Sequence, residues 1–324
     1  MKRFWLRFAP ITTAIVGLLA LGAIWTQRDA IIDWLALRDY TPSSAISQLA
    51  DDATMTSKGR NFFYVNDPQI EDRAAFNQDC NSQREKALIL GCYHGNRQGI
   101  YLFKVDTSEL KGVEQVTAAH EMLHQAYDRL SSTQRAHINQ LLESYREHDL
   151  RDEQIKEQIA AYEKSEPNDV INELHSLFGT EVGNLPAELE DYYKQYFTDR
   201  AKVVQYYNSY QDAFRSRQAQ IDAYDKDLES RKIQIDTLEQ SLEQKLAQLD
   251  QMKAQMDKYR RNNVSAYNNL VGPYNTLVDV YNSGLDDLKQ KIATYNEIVV
   301  KRNAIALEQQ QLQQDLSSLP SSVQ

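Results

Sequence analysis

The sequence predicts an α+β fold in which a small mixed domain is followed by a long antiparallel α-helical coiled-coil hairpin, with one N-terminal transmembrane helix in front. Three observations lead to this prediction: an uncharged apolar run over residues 8–25, short strand-like runs between helical segments up to residue 186, and a sevenfold apolar repeat beyond it. We place the N-terminus and anchor in residues 1–36, the mixed domain in 37–186, the hairpin in 187–316 and a polar tail in 317–324.

The composition suits a two-domain protein that does not bind nucleic acid. The chain has 324 residues, 42% of them hydrophobic, which is enough for a core in at least one domain. Its formal net charge is -10 and its basic residues are scattered, so it lacks the basic surface that binds phosphates. We therefore expect no nucleic acid among its partners.

The predicted anchor determines where the rest of the chain lies. Residues 8–25 are about as long as a helix that crosses a bilayer, and Lys2, Arg3 and Arg7 precede them. The positive-inside rule then predicts a single-pass cell membrane protein, with its N-terminus in the cytoplasm and its main body outside. Small residues near the end of the run also suit signal peptidase, so a cleaved signal peptide is the alternative. The main body is exported in both cases.

Cys80 and Cys92 predict a disulfide. In an exported domain two cysteines pair readily, and here one lies in a polar loop and the other ends a strand-like run. A pair of zinc thiolates is the alternative, although no second Cys or His pair lies nearby at ligand spacing. We expect a structural role for the disulfide.

Residues 41–105 predict one helix and three strands. Thr41 is a suitable N-cap and Pro42 a suitable first residue for a helix that ends near residue 53. Runs of β-branched and aromatic residues bounded by turn residues predict strands at 61–65, 87–92 and 99–105, the last two joined by a hairpin.

The strongest functional signal is the sequence His-Glu-Met-Leu-His at residues 120–124, inside a predicted helix. Residues four apart lie about 40° apart around a helix, so the imidazoles of His120 and His124 can bind one metal ion from one face. Glu121 lies between them and can take a proton from water beside that metal, which is the general-base role that this spacing indicates. A buried helix with two hydrogen-bonded histidines is the alternative.

On these three residues the chain resembles the zincin (HExxH) metallopeptidases, over roughly residues 61–197. The resemblance implies a zincin-like catalytic domain that binds one Zn²⁺ ion and hydrolyses peptide bonds. It also implies that a small sheet covers the active-site helix and that its edge strand pairs with extended substrate. We assign that edge strand to residues 100–105.

A third metal ligand must come from a later segment, because Tyr127 and Leu130 replace the glycine and third histidine of the metzincin branch. Glu173 lies on the apolar face of a helix predicted over residues 167–178, where a buried carboxylate needs a partner. The resemblance to the glutamate-ligand, gluzincin-like branch implies Glu173 as the third zinc ligand. His175 is the alternative candidate for this ligand. It lies about 200° from Glu173 around the helix, so the two residues cannot bind the same ion together. The other acidic residues considered are Glu166 and Glu181.

Several side chains are candidates for supporting roles. Asp128 and Tyr127 project near the histidines, and Asp128 is either an acceptor for a metal-bound imidazole or an exposed salt-bridge partner. A donor to the transition state is also needed, and the candidates are Tyr192, Tyr193 and Tyr196. Ser131 and Gln134 form a capping box, which predicts a new helix after the motif.

From about residue 187, apolar residues recur every seven positions, as in a coiled coil. One series runs from Phe214 to Met256 and a second begins at Tyr267, so two arms of about fifty residues predict an antiparallel hairpin with its turn near residue 262. Pro273 interrupts the second arm, and the loop could extend to it. The polar residues after 309 are expected to fray.

Together these features predict a membrane-anchored extracytoplasmic zinc metallopeptidase, a hydrolase that acts on a peptide or protein substrate with Glu121 as general base. The alternative is a catalytically silent envelope scaffold or a coiled-coil protein that binds a partner, because the rod is longer than a simple peptidase needs. The coiled coil would then act as a spacer, a homo-oligomer contact or a site for a protein partner.

Overall fold

The protein is described here by a computed structural model, which covers residues 27–80, 89–165 and 167–319. It is mostly helical, with 76% helix and one three-stranded sheet. The chain forms two compact units: Met1–Gln211 with Asp315–Gln324, which we name the head, and Asp212–Gln314, which we name the rod. The head thus extends beyond the predicted domain boundary at residue 186.

Within the described ranges, no helix is both long enough and apolar enough to span a membrane. The predicted transmembrane segment, residues 8–25, lies outside those ranges.

The first part of the described chain contains four short helices: α1 Arg28–Leu37, α2 Ser44–Asp52, α3 Ser57–Tyr64 and α4 Arg73–Asp79. The last three begin at side chains that accept a backbone N–H, which are Ser43, Thr56 and Asp72. The predicted start of α2 at Thr41 and Pro42 is wrong, because the hydroxyl of Ser43 caps the helix by accepting the N–H of Ile46 at 3.3 Å.

The sheet consists of β1 Gln69–Glu71, β2 Gly91–Tyr93 and β3 Ile100–Phe103, in the order β1-β3-β2. β1 is parallel to β3, and β2 is antiparallel to it. β3 is therefore the central strand, and the assignment of residues 100–105 to the edge is wrong. The edge strand that follows α4 in the chain is β2.

The predicted strand at residues 61–65 is also wrong, because these residues complete α3. The aromatic run favours a strand locally, but Phe63 is fully buried when the segment is helical, and Thr56 caps its first turn. The strand that forms nearby instead is β1, which is only three residues long.

The two faces of the sheet pack against different partners. On one face Phe103 contacts Phe76 and Cys80 at the end of α4, and the predicted Cys80–Cys92 disulfide joins α4 to β2. On the other face Ile100 and Leu102 are fully buried, and this face contacts the helix that carries the histidine motif. The sheet is thus a layer between α4 and that helix.

Five helices complete the head: α5 Val113–Asp128, α6 Ser132–His148, α7 Glu153–Ser165, α8 Val170–Thr180 and α9 Ala187–Tyr193. The predicted capping box of Ser131 and Gln134 is present at the start of α6. α8 packs against α5, with Gly179 of α8 beside Leu123 of α5. A Cβ atom there would overlap the side chain of Leu123 and lie 2.8 Å from the ring of Tyr193.

Two long helices follow, α10 Arg200–Asn262 and α11 Val264–Leu316, and they form the predicted antiparallel pair. Cross-pair contacts fix the direction: Arg302 donates to Asp225 at 3.0 Å, and Gln309 to Gln218 at 3.1 Å. Pro273 lies inside α11, so the alternative of a loop that extends to this proline is wrong.

The end of α11 belongs to the head. Thr107 donates its hydroxyl proton to Asp315 at 2.6 Å, the hydroxyl of Ser318 donates to the carbonyl of Ile89 at 2.7 Å, and the amide of Asn77 donates to the carbonyl of Ser318. Ser318 is 5% exposed. The prediction that residues after 309 fray is therefore wrong up to Ser318.

Candidate metal centre

The histidine motif lies in the middle of α5, which is buried along most of its length. Both the sheet and α8 contact α5. His120 and His124 are one helical turn apart, with ring centroids 4.9 Å from each other and ring planes at 72°. They therefore share one face of the helix, as the spacing predicts.

α8 brings Glu173 to the two histidines. The Nε2 atom of His120 lies 3.5 Å from Oε2 of Glu173, and Nε2 of His124 lies 3.5 Å from Oε1. The three side chains are 13%, 9% and 9% exposed, respectively. The third candidate ligand thus stands beside the first two, although it is 49 positions from His124 in sequence (173 minus 124).

The donor atoms form a group that could hold a metal ion such as zinc. Two imidazole nitrogens and one carboxylate oxygen lie within 4.8 Å of one another. In a tetrahedron with metal–ligand distances of about 2.1 Å, the ligand atoms are about 3.4 Å apart. The 3.5 Å separations from Glu173 match that value. Three protein ligands leave one position for water or substrate, which is the arrangement of catalytic zinc sites.

Asn172, the residue before Glu173, orients His124. Its Oδ1 atom lies 3.0 Å from Nδ1 of His124, while its amide nitrogen donates to Asp169 at 3.1 Å. Because Oδ1 is an acceptor, we assign the proton of His124 to Nδ1, which leaves the lone pair of Nε2 directed toward Glu173. Metal-binding histidines are commonly held in this way.

The edge strand β2 supplies two further contacts. The ring of Tyr93 stacks on His124 with an interplanar angle of 6° and a centroid distance of 6.3 Å, and its hydroxyl donates to Asp128 at 3.0 Å. The carboxylate of Asp128 thus contacts Tyr93, and no hydrogen bond to either histidine is found for it among the described residues. Asp128 reaches the site only through the tyrosine.

Gly91 lets β2 approach Glu121. A Cβ atom at this position would lie 2.7 Å from Oε1 of Glu121 and 2.5 Å from Cγ2 of Thr117, so a larger residue would push the strand away. Glu121 is 6% exposed. The strand therefore covers the carboxylate that the motif assigns as the base.

The remaining candidates do not meet at the three ligands. His175 is fully buried, and its Nε2 atom lies 2.8 Å from the hydroxyl of Tyr192. The hydroxyl of Tyr193 donates to the carbonyl of His175 at 2.7 Å, and that of Tyr127 donates to Asn139 at 2.9 Å. These groups join α5, α6, α8 and α9, and Tyr193 has no hydroxyl free for a reacting atom.

Burial and neighbouring charges shift the pKa values of His120 and Glu173. Burial lowers the pKa of His120, but the hydrogen bond to Glu173 and the negative charges of Glu121, Glu173 and Glu181 outweigh it and raise the pKa to about 9. Burial raises the pKa of Glu173, but the two histidines outweigh this effect and lower it. Burial raises the pKa of Glu181 to about 7. Glu166 lies outside the described residues.

Burial gives His175 the opposite shift to His120. Its pKa falls to about 3, first because of burial and then because of the positive charges of His124 and His120. His175 is therefore neutral at physiological pH, which suits a buried hydrogen-bonding residue.

Sequence reasoning missed Asn172, Tyr93 and Gly91. Asn172 carries a weak signal, since it is an amide directly beside a candidate ligand. Gly91 carries a clearer one, because a glycine inside a strand often marks a close approach of another element. Tyr93 has no signal that separates it from the other tyrosines.

Comparison with protein-family models, with curated proteins and with solved structures gives no match to this chain. The site must therefore be interpreted from its own residues.

Proposed function

We propose that this protein is a zinc-dependent metallopeptidase in which His120, His124 and Glu173 bind one Zn²⁺ ion. The observation that carries the proposal is the meeting of the two Nε2 atoms with one carboxylate, at 3.5 Å each, beside the buried Glu121. The hydrogen bond from His124 to Asn172 supports it, because it presents the lone pair of Nε2 to the site.

A zinc ion held by these ligands supplies a Lewis acid that polarises a carbonyl and acidifies water. The protein supplies the base. Glu121 follows His120 directly in α5, and β2 shields its carboxylate at Gly91. We assign Glu121 to take the proton from the attacking water and to pass it to the leaving amine.

The edge strand of the sheet favours a peptide or a protein as the substrate. β2 is an edge strand with its backbone groups unpaired on one side in the described sheet, and both Gly91 and Tyr93 contact α5 residues of the site. An extended chain that pairs with β2 would run past the three ligands. The substrate-pairing strand is therefore β2 rather than residues 100–105.

The location is proposed from the sequence. Residues 8–25 would anchor the protein in the cell membrane as a single span, with the N-terminus in the cytoplasm and the head outside. The Cys80–Cys92 disulfide supports this side, because disulfides persist in oxidising compartments.

The test uses the full chain purified in detergent. Zinc content is measured by atomic absorption, and hydrolysis by mass spectrometry of a peptide library. We expect one zinc per chain, lost in His124→Ala and Glu173→Ala but kept in His175→Ala. Glu121→Gln should keep the zinc and lose hydrolysis by about 1000-fold or more, as removal of a general base predicts.

Glu114→Gln is the matched control, since Glu114 is a half-buried glutamate of the same helix that accepts the N–H of Val105 at 2.9 Å. It should keep both zinc and activity. A wild-type protein without zinc, or one whose hydrolysis is unchanged by Glu121→Gln, refutes the proposal.

The long helix pair favours a second candidate, a scaffold whose metal centre is catalytically silent. α10 and α11 comprise 63 and 53 residues, which is a large part of the chain for a spacer. The scaffold would bind a protein partner or a second copy through the rod. It predicts zinc without hydrolysis of any peptide, and a cellular function that survives Glu121→Gln.

A further inference from the structure

Helix α1 has two chemically different faces. Asp29 and Asp33 are one turn apart, and Ile31, Trp34 and Leu35 lie about 100° to 160° around the helix from them, at about 100° per residue. Acidic and apolar side chains are thus separated on a helix of only ten residues. Such a helix is suited to lie between two different surroundings.

The acidic face is bound to the head. Oδ1 of Asp33 accepts from Nε of Arg97 at 2.7 Å and from Nη2 of Arg129 at 2.8 Å, and Asp29 lies 3.3 Å from each of the two guanidinium groups. The side chains of Asp33, Arg97 and Arg129 are 14%, 20% and 16% exposed. These partly buried pairs fix the rotation of α1 on the head.

The two arginines belong to the elements that build the metal centre. Arg97 lies in the loop between β2 and β3, and Arg129 is the C-cap of α5. The face of α1 opposite the aspartates therefore has a fixed direction relative to the edge strand and to the histidine helix.

The apolar face is exposed. Ile31, Trp34 and Leu35 are 41%, 63% and 51% exposed, and every other exposed large hydrophobic residue of the described chain lies in the rod. The large apolar side chains that the described head leaves uncovered are thus collected on one face of one helix. A grouped apolar surface of this kind marks an interaction site.

The preceding segment identifies what covers this face. The predicted membrane span ends at residue 25, three positions before α1 begins at Arg28. Three residues reach about 10 Å at most, and a ten-residue helix is about 15 Å long, so Trp34 must lie near the point where the chain leaves the bilayer. Tryptophan is enriched at the boundary between lipid and water.

We propose that α1 lies on the outer surface of the membrane with Ile31, Trp34 and Leu35 in the lipid headgroup region, so that the metal centre is held at the bilayer. This proposal rests on the membrane anchor of the proposed function. It deepens that function by naming the substrate class: polypeptides that are themselves attached to, or emerging from, the same membrane.

The test is the depth of Trp34 in the full chain, reconstituted in phosphatidylcholine vesicles. The protein has three tryptophans, so Trp5→Phe and Trp25→Phe leave Trp34 as the only fluorophore. We expect blue-shifted emission and quenching of more than half of the signal by lipids brominated near the glycerol end of the acyl chain. Lipids brominated near the chain terminus should quench less.

The matched control moves the only tryptophan to the rod, with Trp34→Phe and Val300→Trp in the same background. Val300 is 68% exposed, similar to Trp34, and this variant should show no quenching. If the protein floats with the vesicles but Trp34 emits as it does in water and is not quenched, the proposal is overturned. The membrane anchor is then still supported. Protein that fails to float refutes both the anchor and the proposal, whereas the zinc assays above are independent of both.

Discussion

Replacement of Asn172 by alanine tests the assignment of His124 most directly, because Asn172 contacts this histidine and is not itself a proposed ligand. The 3.0 Å contact between Oδ1 and Nδ1 is removed by Asn172→Ala. His124 is 7% exposed, so its Nδ1–H would be left without an acceptor in a site with little water.

The size of the effect follows from this single lost hydrogen bond. Leaving a buried donor unsatisfied costs about 1 to 3 kcal/mol, and each tenfold change in affinity corresponds to about 1.4 kcal/mol. We therefore expect zinc affinity to fall by about 10- to 100-fold, which is also the usual effect of removing a group that orients a metal-bound histidine. The assay is competition with a fluorescent zinc chelator.

Two variants control for general damage. Asn172→Asp restores an acceptor and should return zinc affinity to at least the wild-type value, because a carboxylate orients a metal-bound imidazole well. Asn139→Ala removes a different helical asparagine that contacts Tyr127, and should leave zinc affinity unchanged. Equal affinities for Asn172→Ala and wild type would show that this hydrogen bond does not prepare His124 for metal.

Three further predictions concern the surroundings of the site. Gly91→Ala places a methyl group 2.7 Å from Oε1 of Glu121. We therefore expect zinc to be retained and kcat to fall roughly 100-fold in steady-state assays. An unchanged kcat would exclude contact between β2 and Glu121. Asp33→Ala deprives Arg97 and Arg129 of the shorter of their two shared carboxylate contacts, so we expect the free energy of unfolding in urea titrations to fall by about 2 kcal/mol. Asp39→Ala, which removes an exposed pair, is the control and should have a small effect. Partial burial, a hydrogen bond to Asp79 and the charges of Asp79 and Asp72 raise the pKa of Glu71 to about 7. The stabilising, protonated form of Glu71 is therefore lost as the pH rises through that value. Glu71→Gln should raise Tm at about pH 8 and leave Tm nearly unchanged at about pH 5.

The sequence predicts the local half of the site well. His120, Glu121 and His124 form a pattern within one helical turn, and helix geometry alone places both imidazoles on one face. Glu173 is harder to predict, but a carboxylate on an apolar helix face needs a partner, and the fold brings it to the histidines. Both inferences depend on one helix at a time.

Contacts between elements are not readable in the same way. The hydrogen bond of Asn172, the stacking of Tyr93 and the close approach at Gly91 each require the relative placement of α5 with α8 or β2. The same limit explains the misassigned edge strand, because strand order depends on β1, a segment of three residues without a clear pattern.

The helix pair was predictable because its seam repeats many times. The two sevenfold series indicate the helix pair and its turn without any single residue being decisive, and the helix is interrupted at Asn263, next to the predicted turn. The alternative of a loop that extends to Pro273 is wrong because a proline removes only one backbone hydrogen bond, and the apolar seam continues on both sides of it. Burial of Ile221, Leu242 and Leu249 shows the repeat in the packed pair.

The return of the chain at Ser318 has a consequence for biosynthesis. Its hydroxyl bonds to Ile89 and its carbonyl to Asn77, partners 229 and 241 positions earlier. Asn77 lies in α4 and Ile89 leads into β2, so this part of the head cannot be completed until residue 318 has been synthesised. Folding of this part of the head must then follow synthesis of both long helices, and premature termination anywhere in α11 would remove these contacts.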